Sequence, residues 1–192
     1  MARPREFDES AAVERAMHAF WDHGYEATST QELCEATGLG RSSVYNTFTS
    51  KRTLFRRSLE HYTTRELGRR RAILEGPGTA AERLTAVLDT AVASGLEGRG
   101  CLVVNTLAEL GLADDEVGAA LRRDTEQNLA MFAGCVREGV LDGSLRDGLA
   151  PADVAEFLLS TISGLRVMAR RGSTGEAMHH VADLALSAIT AR

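Results

Sequence analysis

Apolar residues recur along this chain at intervals of three and four, the spacing that gathers them on one side of an α-helix. Val13, Met17, Phe20 and Trp21 fall at i, i+4, i+7 and i+8 and predict an amphipathic first helix that stops at Gly24. Ser29-Thr30-Gln31-Glu32 has the form of a capping box, with Ser29 as N-cap and a glutamate three residues on. It opens a short second helix that carries Leu33 and is closed by Gly38. A third short helix runs from Arg41 to Phe48, with Val44 and Phe48 four apart. Phe55, Leu59 and Tyr62, with Leu54 beside them, predict a longer fourth helix. Five more are expected, roughly 79–95, 102–111, 115–141, 151–171 and 174–190. Pro77, in GPGT, and Pro151, in GLAPAD, punctuate them, and strand-like alternation is almost absent. The pattern predicts an all-α protein of nine helices.

Composition supports a folded core. Apolar residues make up 44% of the 192, which is ordinary for a globular chain and excludes a disordered one. Three cysteines do not build a disulfide framework in a chain of this size, and they predict a reducing, cytoplasmic setting. No apolar run follows the basic residues of MARPREFDES, so no secretory signal is expected. Nor is there a stretch of about 18 apolar residues that would span a membrane. Charge changes the picture more. The net charge is −5, yet residues 1–75 hold 12 basic against 11 acidic residues, while residues 76–192 hold 10 against 16. A polyanionic partner is therefore expected at the N-terminal third.

That third contains GLGRSSVYNTFTSKRTLF, residues 38–55, with the chain's single lysine. Two short helices joined by a glycine turn, braced by a first helix and followed by a fourth, make a helix-turn-helix unit. Its second short helix would enter a DNA major groove and present Arg41, Ser42, Ser43, Tyr45 and Asn46. Arginine reads guanine bidentately, asparagine reads adenine, and hydroxyls reach bases or phosphates. Tyr45 lies on the flank of the apolar pair Val44 and Phe48, and its hydroxyl is expected on a phosphate. Lys51 and Arg52 open the next helix after Ser50, where free backbone amides also favour a phosphate.

Residues 7–55 resemble the N-terminal domain of the tetracycline-repressor (TetR) family of bacterial transcription regulators. The resemblance is carried by FWDHGYEATST and then QELCEATGLGRSSVYNTFTSKRTLF. These contain the glycine–aromatic pair after the first helix, the threonine/serine cluster opening the second, the glycine turn, the aromatic recognition helix and the Ser-Lys before the fourth helix. The resemblance implies a nine-helix dimer that has a ligand pocket in its C-terminal domain and leaves DNA when ligand binds. It adds Thr28 and Thr30, from the hydroxyl cluster, to the candidate DNA contacts. Two departures are Gly40, where the family's recognition helix usually has a serine N-cap, and Thr47, where it usually has a histidine. Glycine caps nearly as well. The change at Thr47 bears on which operator is read.

The expected division is residues 1–52 for DNA binding and 53–192 for effector binding and dimerisation. The helices at 151–171 and 174–190 are expected to pair with those of a second copy. Val154, Phe157, Leu158, Leu159, Ile162, Leu165, Val167 and Met168 exceed a single apolar stripe. A pocket of roughly 300–1,000 Å³ is expected among segments 79–95, 102–111, 115–141 and 151–171. Few charged residues face inward on these patterns, so a small, largely apolar effector is expected, with Asn105, Thr106 and Glu109 as polar handles.

Cys34 and Cys135 read as small core residues. Cys101, in EGRGCLVVNTLAELG, stands at a helix start near Arg99, an arrangement that favours the thiolate. The GCLVVNT segment is similar to one in TetR-family repressors that sense electrophiles or oxidants, so redox sensing through Cys101 is the alternative regulatory mode. His179 and His180 are adjacent on a helix and diverge, so no metal site is expected. Other readings are a helical enzyme, which lacks a phosphate loop or HExxH motif here, and a protein-binding module, which has no use for the hydroxyl and Lys51 cluster. No cofactor is implied.

Overall fold

The computed structural model describes residues 8–95, 98–111 and 115–191. The MARPREF opening, on which the expectation of no secretory signal rests, lies outside them. Among the described residues there are nine α-helices: α1 (Glu9–His23), α2 (Thr30–Thr37), α3 (Arg41–Phe48), α4 (Lys51–Leu74), α5 (Ala80–Gly95), α6 (Leu102–Leu110), α7 (Asp115–Leu141), α8 (Pro151–Arg170) and α9 (Gly175–Ser187). The one β-type pairing among them is an isolated bridge between Leu145 and Thr190. No helix among the described residues is long and apolar enough to cross a membrane.

Local chemistry sets the helix ends. The Asp8 carboxylate accepts the amides of Ser10 and Ala11 and starts α1. Both bonds of the capping box form at α2: the Ser29 hydroxyl accepts the Glu32 amide, and the Glu32 carboxylate accepts the Ser29 amide. Such a cap contributes about 1 kcal/mol. Gly38 closes α2 in the left-handed region, at φ 71°. Ser50 caps α4 by accepting the Thr53 amide, and Thr174 caps α9 by accepting that of Ala177.

The buried apolar residues form two clusters. One joins Met17 and Phe20 of α1, Leu33 of α2, Val44 and Phe48 of α3, and Leu54, Phe55, Leu59 and Tyr62 of α4 to Leu102 of α6 and Val117 and Leu121 of α7. Phe20 meets Phe55 edge to face at 5.0 Å, and Trp21 meets Tyr62 the same way at 4.9 Å. Each such pair adds about 0.5–1.5 kcal/mol to simple burial. The second cluster gathers α5, α7, α8 and α9 around Leu88, Phe132, Leu158, Leu165 and Met178. The N-terminal half of α4 belongs to the first cluster and Leu74, at its C-terminus, to the second. This helix and α6 tie the N-terminal unit to the C-terminal bundle.

Candidate nucleic-acid interface and adjoining cavity

Val44 and Phe48 are buried and pin α3 to the N-terminal core. The opposite side presents Arg41, Ser42, Tyr45 and Asn46 to solvent, with Ser43 half-buried beside them. Tyr45 is 39% exposed, and its hydroxyl shares a hydrogen bond with that of Thr30 at 3.2 Å. That bond, and then one from Arg41, holds the phenol below its usual range. The Tyr45 hydroxyl expected on a phosphate thus already links α3 to α2.

Lys51 is half-buried. Its ammonium donates to the Glu26 carbonyl at 3.2 Å and lies 4.6 Å from the centre of the Tyr25 ring. Thr28 corrects the sequence expectation. It is fully buried, and its hydroxyl donates to the Gly24 carbonyl, so it shapes the loop and offers nothing to DNA. Sequence reasoning missed Thr49, the only non-glycine with positive φ among the described residues, at 65°. The Ser50 amide donates across it to the Phe48 carbonyl at 2.6 Å, closing a tight γ-turn that sets the angle between α3 and α4. Threonine, a β-branched residue, gives no sign of such a turn in the sequence.

Glu109 and Arg99 hold the C-terminal body to α1 and the loop after it. The Glu109 carboxylate accepts the amides of Tyr25 at 2.9 Å and Glu26 at 2.7 Å. The Arg99 guanidinium lies 3.0 Å from Asp22 and 2.9 Å from His18 Nδ1, over the Trp21 ring. It is therefore engaged with α1, whereas the sequence suggested it beside Cys101. Glu109 is likewise an interdomain tie and not a pocket handle.

A cavity lies between α4, α6, α7 and α8. It is walled by Tyr62, Glu66 and Arg70 of α4, Cys101, Val103 and Val104 at α6, Asp124 and Asn128 of α7, and Leu159, Ile162, Ser163 and Arg166 of α8. Counted over the positions open to the centre of a water molecule, its volume is about 60 Å³. A smaller void beside it, about 20 Å³, shares Glu66, Arg70, Ile162 and Arg166 and reaches Val87 and Ala91 of α5.

This lining differs from the expected one in three ways. α4 was missing from the expected walls. Four charged side chains, Glu66, Arg70, Asp124 and Arg166, face inward where few were expected. Of the four residues proposed from sequence, only Cys101 lines the cavity. Asn105 and Glu109 border an open cleft between α1, α6 and α8, and Thr106 is buried with its hydroxyl unpartnered among the described residues.

Burial pushes the Asp124 carboxyl up, with the Arg70 charge opposing it. Arg70 donates to the Asn128 side-chain oxygen. Tyr62 donates to the Cys101 sulfur at 3.5 Å, and burial keeps its phenol well above the usual range. Cys34, expected in the core, is half-buried. Cys135 is buried, and its thiol is pushed up to about 11. His179 lies 3.6 Å from Asp89 of α5, and no group of three metal-ligating side chains occurs among the described residues.

Residues 12–57 match the family model described as bacterial regulatory proteins, tetR family, and residues 80–185 match the tetracyclin repressor-like C-terminal domain. The chain belongs to the TetR family. It is a DNA-binding transcriptional regulator, not an enzyme. Among its relatives, the transcriptional repressor ComR of Escherichia coli is 32% identical, over 96% of this chain and 90% of ComR. The repressor DhaR of a Mycobacterium species is 30% identical, over 79% and 77%. Among solved structures, a cysteine mutant of the TetR-family regulator CifR bound to a 26-base-pair operator duplex is 33% identical. It covers 98% of this chain and all of that one, with a TM-score of 0.84.

Proposed function

We propose that this TetR-family chain is a cytoplasmic repressor. It binds a pseudo-palindromic operator as a two-fold dimer and leaves it when a small effector occupies the cavity between α4, α6, α7 and α8. The DNA-reading unit is residues 1–52, and residues 53–192 bind effector and dimerise. Arg41 and Asn46 read base edges, Ser42 and Ser43 reach bases or phosphates, and Lys51 meets a phosphate. Thr30 and Tyr45 form a bonded pair at the edge of this face.

The observation that carries the proposal is the span of α6. Its first turn walls the cavity at Cys101, Val103 and Val104, and its last turn holds the Tyr25 and Glu26 amides through Glu109. A ligand that parts the cavity walls shifts the same short helix that grips the DNA-reading unit. The cavity as it stands holds only a few waters, so any larger ligand must move those walls. A ligand that prefers the moved state shifts the population toward release.

Dimerisation is supported by apolar side chains left in solvent on two neighbouring helices. Phe157 and Val167 of α8 and Val181 and Leu184 of α9 are exposed, Leu184 at 70%. A two-fold pairing of these helices covers them. Cysteine sensing is not favoured, because Cys101 is half-buried under the Tyr62 hydroxyl and Arg99 is held by α1.

The test is an anisotropy titration of the DNA upstream of the protein's own coding sequence, against a shuffled duplex of equal length. Tight binding of the first, about 10⁻⁸ M or better at physiological salt, is expected. Equal binding of the two contradicts it.

A further inference from the structure

We propose that the cavity takes a small organic carboxylate, its anionic head on Arg166 and its apolar body against Val103, Val104, Leu159 and Ile162. The proposal presupposes the cavity as the effector site and adds the chemistry of its ligand.

Pairing the charged groups around the void leaves one cation over. Arg70 is hydrogen-bonded to Asn128 and shares the electrostatic field of Asp124. Glu66 lies 3.6 Å from Arg69 and 3.8 Å from Arg65. The Tyr62 hydroxyl is on Cys101. Arg166 is only 6% exposed, yet its side chain has no hydrogen bond or ion pair among the described residues. None of its nitrogens is both fully buried and unpartnered, so the guanidinium keeps contact with the water of the cavity and the cleft and is free to meet a ligand there. Arg166 lines both the closed cavity and the open cleft beside it, so its guanidinium meets the space a ligand would fill.

A guanidinium is a planar fork that matches a carboxylate with two parallel hydrogen bonds. One uncompensated cation suits a monoanion. Glu66 and Asp124 on the same walls disfavour a dianion such as a phosphate monoester. Four apolar side chains next to the head position suit a short hydrocarbon or a single ring. In the cleft outside, Arg166, Arg170 and Arg171 outnumber the single carboxylate of Glu109, which draws anions toward this entrance.

The experiment uses the full chain with matched probes: butyrate, hexanoate, benzoate and phenylacetate, each against its methyl ester and primary amide. Calorimetry reads binding and anisotropy reads operator release, for wild type, Arg166→Gln and Arg166→Lys. In wild type the acids are expected to bind at least about 10-fold tighter than their esters and amides, the range of one charge-assisted hydrogen-bonded pair. Arg166→Gln should bring that ratio close to one while unliganded operator binding stays intact, and Arg166→Lys should keep part of it. The wild-type ratio stands as a test even if Arg166→Gln does not fold. Neutral probes that bind and release operator as well as acids overturn the carboxylate assignment and leave the effector cavity standing. Acid preference that survives in folded Arg166→Gln also overturns it. If no probe of either kind binds, the carboxylate assignment fails and the effector cavity loses its support with it.

Discussion

The carboxylate of Glu109, in α6, accepts the backbone amide of Tyr25, 84 residues earlier in the chain, at 2.9 Å. Its other oxygen takes the Glu26 amide. The approach requires Gly24: at φ 86° the backbone is in a region that side chains avoid, and a Cβ there would lie 2.9 Å from a Glu109 oxygen. The C-terminal body thus grips the main chain of the turn leading into α2.

Glu109→Ala removes both acceptors. The freed amides lie near solvent, so a stability loss of about 1 kcal/mol is expected by denaturant unfolding. Operator binding should weaken modestly, and effector-driven release should weaken more, because the cavity end of α6 no longer pulls on the turn. Unchanged release with normal folding assigns the coupling to α4 instead.

Arg41→Ala should cost about 1–3 kcal/mol of operator affinity and relax the sequence preference. Lys51→Ala should weaken all duplexes alike and flatten the salt dependence by about one unit. Lys51 also rests on Glu26 and Tyr25, so the second variant should lose some thermal stability as well. Binding-site selection and salt titrations separate the two effects.

Most of the N-terminal unit was legible because its signals are local. The capping box at Ser29, the glycines at 24 and 38 and the Val44–Phe48 pair lie within a few residues of what they specify. Which hydroxyl of the threonine/serine cluster turns inward was not legible, since Thr28 and Thr30 differ only in loop geometry. The role of Glu109 was hidden for another reason: it rests on a contact between distant parts of the chain, and a glutamate near the end of an amphipathic helix looks solvated. Glu66 and Arg70 were overlooked as cavity walls because the arginine-rich part of α4 reads as a solvent face. Only the packing of α5 and α7 against it, with α8 across the cavity, encloses those charges.

Leu184→Glu should break the dimer. Leu184 is exposed, so the substitution leaves the protomer core untouched, and an unpaired carboxylate in an apolar dimer seam is strongly disfavoured. Sedimentation should give a dimer for wild type and a monomer for the variant at micromolar concentration. A monomeric wild type contradicts the pairing of α8 and α9.

Acid should loosen two fastenings together. Hydrogen bonds from Ser29 hold the Glu32 carboxyl below its usual range. The Ser144 side chain and the Ala80 amide do the same for Asp142. Depressed folded values mean that the unfolded chain binds more protons, so this stability is complete above the unfolded carboxyl range and is lost as pH falls through the folded values. The Tm should drop as pH is lowered from about 5 to 3. Glu32→Gln, with the capping box already weakened, should show a shallower drop.

The exposed face of α3 should read DNA in two half-sites. This is tested most directly by selecting bound sequences from a random duplex library with wild type and with the Arg41→Ala, Asn46→Ala double variant. Wild type should return a pseudo-palindrome whose half-sites are centred about one helical turn, or a multiple of it, apart, and the double variant should lose base preference in both half-sites alike. The same motif from both proteins, or no motif from wild type, would contradict it.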